Sequence, residues 1–249
     1  MPVRQEIDGD IVVITLDRED KRNAINAEMA RAIDGALNAF EDNPAIRVAV
    51  LTGGPNVFCA GTDIAEGSGE LTERGGEYGI IRRRSPKPII AAVEGFAFGG
   101  GFEIALSCHL VVAASNATFG LPEVRRGLVA TSAGLFRAPR ALPLNVAREL
   151  LLTGDPISAE RAERIGVVNK VTEPGAAVAG AIELARRIGL NAPTSIRATL
   201  AALDAVTAHD DDRGWAATDV ARDTIMASED RAEGIQAFFE RREPQWPGR

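Results

Sequence analysis

Gly99-Gly100-Gly101-Phe102-Glu103 and Pro122-Glu123 are the stretches of this chain best equipped for chemistry. A glycine triplet that opens a helix frees backbone N–H groups to face a ligand, and the helix's positive end favours negative charge there. Glu103 falls on the first turn of that helix, and Glu123 follows twenty residues later on a loop. Anion-stabilising amides flanked by two carboxyl groups are the parts needed to move protons beside a developing oxyanion. The stretch Phe58-Cys59-Ala60-Gly61-Thr62-Asp63 also follows a predicted strand and its turn, and its small residues let backbone approach a ligand closely. Two such turns can each offer one amide to a single oxygen. Taken singly, each reads as no more than a tight turn, Glu103 as a helix cap and Glu123 as a surface partner of Arg125 or Arg126. Two turns together with two acids point to a site.

Other chemistries fail on the residues present. A dinucleotide fingerprint after Gly99 and Gly101 requires Gly at position 104, where Ile104 stands, and no Gly-Lys-Ser/Thr ends a phosphate loop. Ser132 lies in Ala130-Thr131-Ser132-Ala133-Gly134, which lacks the first glycine of a nucleophile elbow. Its base would have to be His109, at the start of a predicted strand, or His209, in an acidic turn; both read as structural or surface residues. Two histidines and two scattered cysteines give no metal-ligand spacing. Cys59 reads as a small buried filler.

The elements that must position these residues read as α/β first and α-helical last. Strands are predicted at 11–16, 48–51, 88–93 and 110–113, with a return at 167–171. Asn26 caps a helix whose apolar positions are Met29, Ala32, Ile33, Ala36, Leu37 and Phe40. Residues 62–79 hold five glycines and little apolar period, the pattern of a loop that lines a site. The Gly-rich turn starts a helix through Cys108. Further helices are expected within 127–141, over 145–152, and from a Ser158 cap to Gly166. From Ala176 onward helices dominate, with breaks near 191–193, 209–212 and Ser228. The boundary between a mixed core, 1–190, and a helical tail, 191–249, falls near Asn191.

Composition narrows the partners. At 249 residues the chain can bury a large core. Two cysteines make a disulfide framework unfavourable and fit a reducing, cytoplasmic setting. No apolar run is long enough to cross a bilayer, and the acidic N-terminus is not a signal peptide. The net charge of −7 argues against a general nucleic-acid binder, so an anionic ligand needs a local basic patch. Lys21-Arg22 and the run Arg82-Arg83-Arg84 with Lys87 are the candidates; a solvated face is the preferred reading of the arginine run.

These motifs, with Lys21-Arg22-Asn23-Ala24-Ile25, Phe119-Gly120-Leu121-Pro122-Glu123 and Leu152-Thr153-Gly154, resemble the enoyl-CoA hydratase/isomerase (crotonase) superfamily in order and spacing over nearly the whole length. The resemblance implies a spiral of ββα turns making two roughly perpendicular sheets. It adds a C-terminal helical region, 191–249, that assembles homotrimers or dimers of trimers. It implies an acyl-CoA thioester as partner, coenzyme A as part of the substrate, no permanently bound cofactor, and no metal. By position, the oxyanion-hole amides belong to Thr62 and Gly100. Lys21 and Arg22 fall where the family meets the CoA phosphates and adenine. Ala24, Ala60, Asp63, Ile64, Ala65 and Thr131 join the substrate-binding set, with Thr62 to Ala65 along the acyl-pantetheine path. Glu103 and Glu123 together match the members that add water across a 2-enoyl-CoA. Thr131 stands where many hydratases have Gly, and His109 where Asp is usual, which bears on the substrate more than on the reaction. The alternatives on the same scaffold are an isomerase, a CoA-thioester hydrolase, and an RNA-binding homologue suggested only by the arginine run.

Overall fold

A computed structural model describes residues 1–208 and 210–249; His209 lies outside the described residues. The chain opens with a hairpin of β1 (Val3–Asp8) and β2 (Ile11–Leu16), then a helix α1 (Ala27–Asp42). Asn26 caps α1 by accepting from the Met29 N–H, a cap worth about 1 kcal/mol. Met29, Ile33, Ala36, Leu37 and Phe40 form its buried stripe, as their spacing predicts.

Next come β3 (Val48–Thr52), then β4 (Ile89–Val93), β5 (Phe96–Phe98) and α2 (Gly100–Ser107). The pattern repeats with β6 (Leu110–Ala114), β7 (Thr118–Gly120), a 3-10 turn at Pro122–Arg126, and α3 (Gly134–Ala141). α4 (Leu144–Thr153), β8 (Ile157–Ser158), α5 (Ala159–Arg164), β9 (Lys170–Thr172) and α6 (Ala177–Gly189) complete the mixed part. Each repeat gives a longer strand to one sheet and a three-residue strand to another. The large sheet runs β1-β2-β3-β4-β6-β9 and is parallel from β2 onward; the small one runs β5-β7-β8. The central parallel strands are buried on both faces. Alternation sends Val48, Val50, Ile90 and Ala92 against α6, and Ala49, Leu51, Ala91 and Val93 into the main core.

From Pro193 the elements are helices: α7 (Pro193–Ala208), α8 (Asp211–Met226) and α9 (Glu229–Glu240). Ser228 caps α9 by accepting from the Arg231 N–H. α8 packs on α3, and α9 packs back on the Pro122–Arg126 turn. That last contact is backbone to backbone: a Cβ on Gly234 would stand 2.3 Å from the Arg126 carbonyl, and one on Gly127 2.3 Å from that of Asp230.

Three expectations need correction. The helix within 127–141 covers only Gly134–Ala141, its start marked by Ala133 in a left-handed conformation. The strand predicted at 167–171 is confined to Lys170–Thr172, since the amides of Val167 and Val168 both bond the Ala162 carbonyl. The arginine run is a solvated face only in part: Arg82 and Arg84 are exposed, and Arg83 turns inward. Arg83 is buried against Asp34 at 2.6 Å and Glu41 at 2.8 Å, and Arg82 pairs with Glu77 at 2.9 Å.

Candidate active site

Two turns of the spiral meet where the candidate amides lie. The segment after β3 pairs with Ile25 on one side: the Ile25 N–H donates to the Gly61 carbonyl at 2.8 Å, and the Asp63 N–H to the Ile25 carbonyl at 2.9 Å. Backbone alternation therefore turns the Thr62 N–H away from Ile25. On the other side the Phe98 N–H donates to the Cys59 carbonyl at 3.0 Å, which draws the start of α2 against residues 59–61. The approach is tight enough that a Cβ on Gly61, whose φ is +96°, would sit 2.9 Å from the Gly100 nitrogen. Among the described residues no hydrogen bond consumes the N–H of Thr62 or of Gly100.

Both acids lie beside these amides. Glu103 is 2% exposed, so it does not serve as a helix cap at the surface. Its Oε1 accepts the Gly134 N–H at 2.8 Å. That donor sits at the start of α3, 31 residues further along the chain. Glu123 rides on the 3-10 turn opened by Pro122. Its Oε1 is 3.0 Å from where a Gly99 Cβ would stand, and its Oε2 is buried with no hydrogen-bond partner. Arg125 is not its partner; Arg125 pairs with Asp155 and donates to the Thr153 carbonyl at 2.9 Å. Burial raises both carboxyl groups well above the ordinary value of 4.5, and the two titrate as a pair in which one charge opposes the other.

A cavity of about 330 Å³ joins these groups, lined by Thr62, Gly100, Glu103 and Glu123 together with Ala60, Asp63, Ile64 and Thr131. The other candidates are placed differently. Arg22 lines a larger neighbouring cavity of about 580 Å³, which shares Ala60, Pro122 and Arg126 with the first. Lys21, Ala24 and Ala65 line neither cavity. Asp63 is engaged in structure: it accepts from Arg18 at 2.7 Å and from the Ala65 and Glu66 amides at 3.1 and 3.2 Å. Arg18 also donates to the Ala24 carbonyl at 3.0 Å, so Ala24 and Asp63 brace one loop from both ends.

Sequence reasoning missed several residues. Tyr78, the chain's single tyrosine, lines the catalytic cavity with its hydroxyl 2.7 Å from Thr62 Oγ1. Its φ of +55° is uncommon for a bulky side chain and is held by packing against α1. The glycines around it in Gly75-Gly76-Glu77-Tyr78-Gly79 were the available signal. Asn23 is buried and donates to the carbonyls of Gly53, Val57 and Phe58, which fixes the turn ahead of Thr62. Ile225, Met226, Arg231 and Ile235 bring the C-terminal helices into the cavity wall, beside Arg126 of the 3-10 turn. Outside the site, His109 is structural, its Nδ1 accepting the Ile89 N–H at 2.9 Å. Cys59 is wholly buried, and burial pushes its thiol up to about 12, where it is no nucleophile.

A ββα spiral with two sheets and a helical tail around such a cavity defines the crotonase class of protein. The Enoyl-CoA hydratase/isomerase family model matches residues 6–249, and the chain belongs to that family. It is 42% identical over 246 residues to a mevalonyl-coenzyme A hydratase of Aspergillus fumigatus, covering 95% of this chain and 91% of that one. It is 41% identical over 252 residues to a carnitinyl-CoA dehydratase of Salmonella heidelberg, covering 97% and 96%. Among solved structures it superposes on EchA1_1 from Mycobacterium paratuberculosis with a TM-score of 0.94 at 41% identity, covering 100% of this chain and 99% of that one. An enoyl-CoA hydratase from Mycobacterium tuberculosis gives 0.80 at the same identity and coverage.

Proposed function

We propose that the protein is an enoyl-CoA hydratase, which adds water reversibly and syn across the 2,3 double bond of a 2-enoyl-CoA thioester. The enzyme class, a hydro-lyase, rests on relatives at about 40% identity that are named hydratases and dehydratases. The observation that carries the reaction is the unequal treatment of the two buried acids. Glu103 accepts the Gly134 amide, which favours its anion; the Oε2 of Glu123 is buried with no partner, which favours its proton. Two like charges this deeply buried cannot both ionise cheaply, so one proton stays on the pair near neutrality.

The substrate's thioester oxygen is met by the Thr62 and Gly100 amides. Ionised Glu103 orients a water and takes its proton as the oxygen attacks C3. Charge passes through the double bond onto the thioester oxygen, where each amide is worth about 3–4 kcal/mol of barrier. Glu123 then delivers its proton to C2 from the same face. Tyr78 supports the site by bonding the Thr62 hydroxyl. The larger cavity, with Arg22 and the stacked Phe96–Phe98 pair at 4.8 Å, takes the nucleotide end of CoA. In this reading CoA is part of the substrate, and catalysis needs no resident cofactor. The enzyme works in the cytoplasm as a homotrimer or dimer of trimers, with residues 191–249 as the assembling region.

Glu103→Gln and Glu123→Gln on crotonyl-CoA test the scheme. Loss of the conjugated chromophore must stop in both, and near-normal turnover in either sinks the two-acid mechanism. Product analysis separates hydration, which gives a 3-hydroxyacyl-CoA, from hydrolysis, which gives free CoA.

A further inference from the structure

The wall that α8 and α9 lend to the catalytic cavity carries one guanidinium, that of Arg231, with no ion-pair partner among the described residues. Arg231 lines that cavity, and its Nε is buried without a hydrogen-bond partner. A buried guanidinium N–H left unpaired is costly, and the Arg231 side chain makes no hydrogen bond or ion pair among the described residues. Arg126 lines the same cavity, stacked over Phe238 at 4.9 Å, with no carboxylate in an ion pair with it among the described residues. The other charges around the cavity are accounted for. Arg222 pairs with Asp219 at 2.8 Å and Asp223 at 3.1 Å, and Asp63 pairs with Arg18 at 2.7 Å. Glu103 faces the Gly134 amide, and Glu123 makes no ion pair with Arg126 among the described residues.

Arg231 stands with the reacting groups and away from the larger cavity. α9 runs from one cavity to the other. Phe238, near its C-terminal end, lines the larger cavity with Arg22 and Arg242. Arg231 lies seven residues earlier, about 10 Å back along the helix axis, and lines only the catalytic cavity. Thr131 adds a hydroxyl-bearing side chain to the same cavity from the core side.

We propose that the acyl group of the natural substrate ends in a carboxylate, received by Arg231 with Arg126 beside it. The substrate class is then the CoA monothioester of an unsaturated dicarboxylic acid. The double bond in that description rests on the hydratase reading; recognition of the acyl end by Arg231 does not. A cationic acyl end is disfavoured by the same two guanidiniums.

The test compares saturated ligands of equal chain length, glutaryl-CoA and valeryl-CoA, by titration calorimetry on the full-length wild type, Arg231→Gln and Arg231→Lys. Glutaryl-CoA should bind about 10–100-fold more tightly than valeryl-CoA, the size of a hydrogen bond to a charged group. Arg231→Gln should collapse that ratio, and Arg231→Lys should restore part of it. The corresponding pantetheine thioesters, which lack the phosphates, should keep the wild-type ratio. Equal affinities in the wild type, or a ratio that Arg231→Gln leaves intact, would overturn the proposal. So would a loss shared by both CoA thioesters and absent from the pantetheine series, which would assign Arg231 to a CoA phosphate. Hydration of (E)-glutaconyl-CoA and (E)-2-pentenoyl-CoA is followed alongside. If the binding preference holds but neither is hydrated, the hydratase reading fails and the acyl-end assignment stands. If both are hydrated and no preference appears, only the assignment fails.

Discussion

The catalytic cavity has two unlike walls. The wall from the spiral core holds the Thr62 and Gly100 amides and both glutamates, set by buried backbone contacts among residues 23–25, 59–61, 98–103 and 132–134. The wall from α8 and α9 is built of half-buried and exposed side chains, most of its ion pairs face solvent, and it touches the core through close backbone contacts such as Gly234 on Arg126. The difference teaches a division of labour. Reacting groups need fixed distances and sit where packing over-determines them. The choice of acyl group tolerates change and sits where a substitution disturbs little else.

Breaking the core wall should be the more severe. Glu123→Gln should lower kcat on crotonyl-CoA by about 10²–10⁴-fold, the usual worth of a positioned acid or base. KM should move far less, and a matching loss of affinity for a saturated acyl-CoA would contradict this. Next in size is Arg83→Met. It strands Asp34, whose Oδ1 also holds the Gly75 amide and the Thr72 hydroxyl, and so loosens the segment carrying Tyr78. Removing one partner of a buried pair costs about 3–5 kcal/mol, readable as a fall in denaturant midpoint together with kcat. Gly234→Ala attacks the other wall. Its Cβ has no room beside the Arg126 carbonyl, and overpacking of this kind costs about 1–3 kcal/mol. The change should raise KM with kcat nearly kept; an equal fall in kcat would mean that the walls are not separable.

The smallest effect is on pH dependence. In the unfolded chain both carboxyl groups ionise around 4.5, while burial raises them in the folded protein. Between those values the folded state binds more protons, so stability falls as pH rises from about 4.5 through the raised values. Glu103→Gln should flatten that slope in pH-dependent melts. A slope of the opposite sign would show that the pair is not buried as described.

The same two walls explain what could be read from the chain alone. The α1 stripe, its Asn26 cap, the Gly99 to Gly101 turn and the two glutamates carry local signals, and motif order supplied their joint meaning. Tyr78 stands in a glycine-rich segment without period, and only its packing against α1 brings it over Gly100. β5 and β7 span three residues each, too few to show a strand pattern. The amide that holds Glu103 comes from Gly134, and no spacing rule links those positions. Arg231 looks like one more charge on an amphipathic helix until the fold turns α9 onto the cavity. Lys21, Ala24 and Ala65, carried over by motif, border the walls but do not line them.

The central claim is that Glu123 handles the proton at C2 while Glu103 handles water. Exchange of the C2 hydrogens of butyryl-CoA in deuterated buffer isolates the first task, because no water is added. Glu103→Gln should still exchange them while failing to hydrate crotonyl-CoA, and Glu123→Gln should do neither. Exchange that survives in Glu123→Gln and disappears in Glu103→Gln would contradict the account.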